Sequence, residues 1–117
     1  MMNILVVDPD WRERQRLSVL LCQLYDEAEV NSFNDPLMAV KYGANNHVDA
    51  LYTVSSMKRL SGFELAKMLR ELHPQIGLHF IADDDGGKRD AMRIMADSYI
   101  TRPVTAEALR LAEAAEW

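Results

Sequence analysis

Asp8 and Asp10 follow directly on the apolar run Asn3-Ile4-Leu5-Val6-Val7, and Asp83-Asp84-Asp85 interrupts the chain after a second apolar run, Ile76 to Ala82. Like charges gathered at one place cost free energy unless a cation sits among them. Arg102 has the geometry to be that cation: its planar fork bonds two carboxylate oxygens at once, with charge-assisted bonds worth about 1.5 to 3 kcal/mol when shielded from water. The chemistry open to such a set is electrostatic, an Arg102 to Asp8 pair standing among acidic groups. His47, His73 and His79 show no metal-ligand spacing and read as surface or packing residues. Cys22 is the one cysteine, which excludes an intramolecular disulfide and a thiolate cluster; within an apolar helical pattern it reads as a small buried hydrophobe. Met57, Met68, Met92 and Met95 likewise read as packing residues.

Positioning these groups falls to a chain of 117 residues, the common size of one domain, with 49% apolar and 26% charged residues, enough for a buried core. A formal charge of −5 opposes the phosphate backbone, so no direct nucleic-acid binding is expected. No apolar run approaches a membrane span and the start lacks a signal-peptide pattern, so the expected location is cytoplasmic, without membrane attachment. Two hydrophobic periods alternate. Strands are expected at 3–7, 29–33, 50–54, 76–82 and 98–101. Helices are expected from Trp11 through Leu24, from Pro36 through Ala44, and over 62–72, 88–95 and 105–115. Asp10 and Asn34-Asp35-Pro36 supply two of the helix starts. Strict alternation forces parallel strands joined by right-handed crossovers, a doubly wound α/β sheet whose chemistry gathers at the carboxyl ends of the strands.

Three segments carry a family resemblance. Ile4-Leu5-Val6-Val7-Asp8 resembles the opening of a response-regulator receiver, Met57-Lys58-Arg59-Leu60-Ser61-Gly62-Phe63-Glu64-Leu65 its third loop and helix, and Ala96-Asp97-Ser98-Tyr99-Ile100-Thr101-Arg102-Pro103 its fifth strand. The resemblance covers the whole chain and implies a three-layer (βα)5, flavodoxin-like and CheY-like fold with strand order 2-1-3-4-5. It also implies a reaction: a carboxylate attacks a phosphoryl group, helped by Mg²⁺ on acidic residues of the first loop, a lysine, and a hydroxyl on the fourth strand. Here the positions depart from the pattern. Counting back from Gly62 puts the phosphoacceptor at Val54, which has no oxygen, and its neighbours Thr53, Ser55 and Ser56 are not carboxylates. The acidic pair of the first loop becomes Asp8-Pro9 with Asp10 one step on. The hydroxyl position falls on Ala82, and the lysine position on Arg102. The resemblance thus implies an atypical pseudo-receiver, non-enzymatic, with a degenerate acidic pocket of Asp8, Asp10 and Asp83. No cofactor is expected beyond weak Mg²⁺ binding at Asp8 and Asp10. Tyr99 stands at the family's aromatic switch position, and Arg102-Pro103 resembles its cis peptide.

An enzyme reading stands beside this one. Asp8-Pro9-Asp10 also resembles the D-x-D of haloacid-dehalogenase-type phosphatases, with Asp83 and Asp84 as metal ligands and Thr53 as the phosphate-binding hydroxyl. The residues after Asp10 depart from that pattern, and no insertion follows the first helix to cover an active site. As a receiver, the chain is expected to act on its own output domain or a separate protein, and to form a homodimer through the face of the fourth helix, fifth strand and fifth helix. Lys88, Arg89, Arg93, Arg102 and Arg110 are expected to lend that face positive charge, with Asp90, Asp97, Glu107 and Glu113 as complements. The expected organisation is one receiver-like domain over 1–117, to which a longer protein could add an output domain.

Overall fold

The computed structural model describes residues 1–114. Five strands, β1 (Asn3–Val7), β2 (Glu29–Phe33), β3 (Ala50–Val54), β4 (Gly77–Ala82) and β5 (Ser98–Thr101), pair in parallel in the order β2-β1-β3-β4-β5. The inner strands are continuous apolar runs because helices cover both faces of the sheet: Ile4 to Val7 and Ala50 to Val54 are buried throughout. Alternate residues point to opposite sides. Leu5, Val7, Leu51, Leu78 and Phe80 form one core with α2 (Pro36–Asn45) and α3 (Gly62–Leu72). Ile4, Val6, Tyr52, Val54 and Ile81 form the other with α1 (Trp11–Leu24) and α5 (Ala106–Ala114).

Local signals set the helix starts. Asp10 and Asp35 accept the N–H groups of Arg12 and Leu37, and Ser61 with Glu64 makes a reciprocal capping box at α3. The fourth helix departs from its expected range 88–95. A 3-10 turn, Asp85–Gly87, leads into α4 (Lys88–Arg93), and Met95 stops it in a left-handed conformation with φ 59°. Strand β4 begins one residue after Ile76, whose N–H is taken by the His73 carbonyl in a turn. Thr105 precedes α5 and accepts the Ala108 N–H; Ala115 and Trp117 lie outside the described residues.

Four residues expected to pack inside, Cys22, Met68, Met92 and Met95, are exposed instead. Cys22 is exposed on α1, as are Trp11 and Val19, and Met68, Met92 and Met95 face solvent rather than the core, leaving Met57 as the methionine of that set packed against it. No helix among the described residues is long and apolar enough to cross a membrane.

Candidate functional site

The carboxyl ends of β3, β4 and β5 enclose a cleft of about 450 Å³. Val54 lines its floor, Ala82 and Asp83 one wall, and Tyr99 and Arg102 another. Val54 is held from two directions. The Ser55 N–H donates to the Ile81 carbonyl at 3.0 Å and the Gly62 N–H to the Ser55 carbonyl at 3.0 Å. Gly62 sits so close that a Cβ there would lie 2.1 Å from the Val54 carbonyl oxygen. Only glycine fits at this approach, which locks the register of β3 against α3.

Arg102 bridges the cleft and the adjoining end of β1. Its Nη2 donates to Asp8 Oδ2 at 3.2 Å and its Nη1 lies 3.7 Å from Glu13 Oε2. Its Nε is 3.3 Å from Asp83 Oδ1, yet the two are not aligned as a hydrogen bond, leaving the buried Nε–H without an acceptor. The other Asp8 oxygen accepts the Asp10 N–H at 2.9 Å, and the Asp8 carbonyl accepts Arg14 Nη1 at 2.8 Å. Asp8 is 6% exposed. Burial raises its carboxyl above the usual range, against the opposing pull of the Asp10 N–H and the Arg102 guanidinium.

Of the three acids expected in one pocket, Asp8 and Asp83 share Arg102, whereas Asp10 does not join them. Asp8 lies inward against Arg102, Asp10 is exposed and caps α1 with its carboxylate, and Asp83 is an exposed rim residue. Glu13, not singled out in the sequence, joins Arg102 instead; as the third residue of α1 it lies in the first helical turn above the Asp8 loop, which its position after the Asp10 cap could have signalled. Mg²⁺ does not fit these residues well. Both Asp8 oxygens already hold donors, Asp10 is turned to the helix, and among the described residues no three ligand-type side chains converge.

Tyr99 closes the cleft from β5. Its hydroxyl donates to the Asp84 carbonyl at 2.6 Å and accepts the Gly87 N–H at 3.2 Å, tying the 83–87 loop to the sheet. The Arg102-Pro103 bond is cis. The expected surface role of Arg102 does not hold, because its side chain is 22% exposed and turned into the site.

The match to known proteins agrees with this geometry. The family model for the response regulator receiver domain matches residues 4–113. The chain belongs to the response regulator receiver family. Among curated relatives, this receiver is 26% identical over 110 residues to the sensory transduction protein LytT of Bacillus subtilis, covering 94% of this chain and 46% of that protein. It is 27% identical over 113 residues to the cyclic di-GMP phosphodiesterase response regulator RpfG of Xanthomonas campestris, covering 93% and 30%. The chain thus spans less than half the length of these two relatives. The response regulatory domain of MrkE from Klebsiella pneumoniae superimposes with a TM-score of 0.85 at 24% identity, over 97% of this chain and 93% of that one. The chemotaxis protein CheY4 of Vibrio cholerae superimposes at 0.82 with 21% identity, over 94% and 93%. The receiver has the CheY-like, flavodoxin-like fold with order 2-1-3-4-5.

The phosphatase alternative is not supported. Thr53, its proposed phosphate-binding hydroxyl, is fully buried and donates to the Val54 carbonyl at 3.0 Å, and Asp10, its proposed acid and base, caps a helix.

Proposed function

We propose that this receiver signals through protein contacts without accepting a phosphoryl group. The observation that carries the reading is Val54: at the strand end where the family places its phosphoacceptor stands a buried hydrocarbon, in a register that Gly62 fixes. Attack on phosphorus needs a nucleophilic oxygen there, and valine has none. The Arg102–Asp8 pair supports the same reading, since it fills with an internal cation the place where a metal would neutralise the acids.

Contacts would come from the face of α4, β5 and α5. Met92, Met95 and Leu111 are exposed there, with relative exposures of 50%, 80% and 62%. Lys88 and Arg89 are exposed beside them, while Arg93 is already shared with Asp90 at 3.6 Å. This mixture of apolar and charged groups suits a homodimer or the receiver's own output domain. Incubation with acetyl phosphate and Mg²⁺, followed by intact mass, tests the first claim: the mass is expected to stay unchanged, and a gain of one phosphoryl group would overturn it. Sedimentation at high micromolar concentration tests the second, with dimer expected and lost on Leu111→Glu.

A further inference from the structure

The cleft at the ends of β3, β4 and β5 is floored by hydrocarbon. Val54, Ile81 and Ala82 keep only 6%, 3% and 9% of their surface exposed, and Met57 and Phe63 continue the apolar lining of a concavity of about 450 Å³. That volume is the scale of small-molecule sites, which combine an apolar wall with a few directed polar groups. One such group stands here without a partner. Arg102 lines the cleft, and its buried Nε makes no hydrogen bond, the one such side-chain atom among the described residues. Asp83 Oδ1 is 3.3 Å away but out of line, on a side chain that is 89% exposed at the rim. A buried donor left unpaired costs free energy, so an acceptor arriving in line would be held.

The charge at this wall decides what kind of acceptor that is. Arg102 already faces three carboxylates, Asp8 at 3.2 Å, Asp83 at 3.3 Å and Glu13 at 3.7 Å, and Asp84 adds a fourth to the rim. Four carboxylates against one guanidinium repel a phosphate or another carboxylate. A cation would find only exposed, screened acids at Asp83 and Asp84, while losing its own water over the hydrocarbon floor. A neutral oxygen escapes both penalties.

The same cleft touches the segment that leads into α4. The Tyr99 hydroxyl holds the Asp84 carbonyl at 2.6 Å and the Gly87 N–H at 3.2 Å, and its residue lines the cleft with Gly86 and Gly87. Gly87 is packed so closely that a Cβ would lie 3.0 Å from Phe63 Cζ and 3.3 Å from the Tyr99 hydroxyl. Filling the cleft therefore restrains Tyr99 and the turn just before α4 together.

We propose that this cleft binds a small, uncharged organic molecule carrying a carbonyl oxygen, its hydrocarbon on Val54, Ile81 and Ala82 and its oxygen turned to Arg102 Nε in place of Asp83. Occupancy, instead of a phosphoryl group, then sets the Tyr99-bound loop and the α4 face. This regulation rests on the reading that the receiver accepts no phosphoryl group.

The test uses the whole 117-residue protein and two probes of nearly equal shape, acetophenone, neutral with one carbonyl, and the anion benzoate. Methyl NMR resonances of Val54, Ile81 and Ala82 are expected to shift saturably with acetophenone in the millimolar range, and exchange of the Gly87 amide is expected to slow at saturation. Benzoate should bind at least about tenfold more weakly, because its charge meets the carboxylates. Ala82→Leu fills the cleft and should abolish the shift; Arg102→Lys keeps the charge, removes the Nε–H and should weaken binding at least about threefold. An amide spectrum otherwise like the parent's shows that each variant is folded, and the two probes on the parent decide the matter if neither variant folds. Methyls unmoved at about 20 mM acetophenone overturn the proposal, since a formed pocket holds a ligand of this size more tightly than that. Equal affinity for benzoate, unchanged Gly87 exchange at saturation, or undiminished binding in either folded variant overturns it as well. A mass gain with acetyl phosphate would overturn the reading beneath it and this regulation together, whereas an unchanged mass with unmoved methyls overturns the ligand site alone.

Discussion

Replacing Arg102 by methionine isolates the electrostatic arrangement at the strand ends, because methionine keeps most of the apolar stem and removes the fork. The loss has one main component. Asp8 is 6% exposed and gives up the guanidinium at 3.2 Å, keeping the Asp10 N–H as its remaining side-chain donor. A charge-assisted hydrogen bond contributes about 1.5 to 3 kcal/mol, and breaking a fully buried pair costs about 3 to 5; Arg102 is partly exposed, so the lower range applies and about 2 to 3 kcal/mol is expected at pH 7. For a domain of this size that lowers Tm by roughly 8 to 12 °C. The pH dependence has a definite sign. Burial already raises the Asp8 carboxyl, and losing Arg102 raises it further. A group whose folded value is raised binds its proton more readily in the folded state, so the deficit is full when Asp8 is ionised and shrinks as pH falls through its folded value. Asp8→Asn in the same chain removes the stranded charge and should recover most of the loss. Thermal unfolding and urea titration of the four members of this double-mutant cycle, at pH 7 and near pH 4, give the coupling. A deficit below about 0.5 kcal/mol for Arg102→Met, or no recovery with Asp8→Asn, would refute the reasoning, since that is the scale of an ordinary surface pair.

Gly62→Ala pushes a methyl into the Val54 carbonyl, and backbone cannot yield as a flexible side chain can; a destabilisation of at least about 2 kcal/mol in urea unfolding is expected. Tyr99→Phe deletes the hydroxyl that joins Asp84 and Gly87, costing about 1 kcal/mol and speeding hydrogen exchange at the Gly87 amide, while amides of β3 stay protected. His79 titrates near 4 against 6.5 when unfolded, so its contribution to stability is complete above pH 6.5 and drains away as pH falls toward 4; His79→Phe should flatten that part of the stability profile, and a titration midpoint above 6 by NMR would contradict the burial.

Much of the architecture was legible because its causes are local or periodic. Continuous apolar runs such as Ile4 to Val7, bounded by turn residues, read as strands buried on both faces, and Asp10 and Asp35 declare the starts of their helices. The order of the strands was not in the pattern and came through resemblance. The failures follow from what periodicity leaves out. It places Trp11, Val19 and Cys22 on a helix without saying that α1 shows them to water, and it runs the fourth helix to Met95 because nothing local announces the left-handed turn. The Arg102–Asp8 contact spans 94 positions in sequence and was reachable only once both were assigned to the same end of the sheet. Glu13 and the Tyr52–His79 stack escaped because each depends on which face of an element meets which, a three-dimensional fact.

The clasp of Gly62 and Ile81 around the end of β3 makes position 54 a socket: its occupant can be exchanged while the rim stays put. An aspartate plugged in there would meet no hydroxyl at Ala82, and the nearest guanidinium is already committed to Asp8 and Glu13. On the proposed reading, an oxygen supplied at position 54 by itself would therefore be an acid without helpers. On the same reading, phosphoryl chemistry is expected only when several neighbours are rebuilt together with position 54.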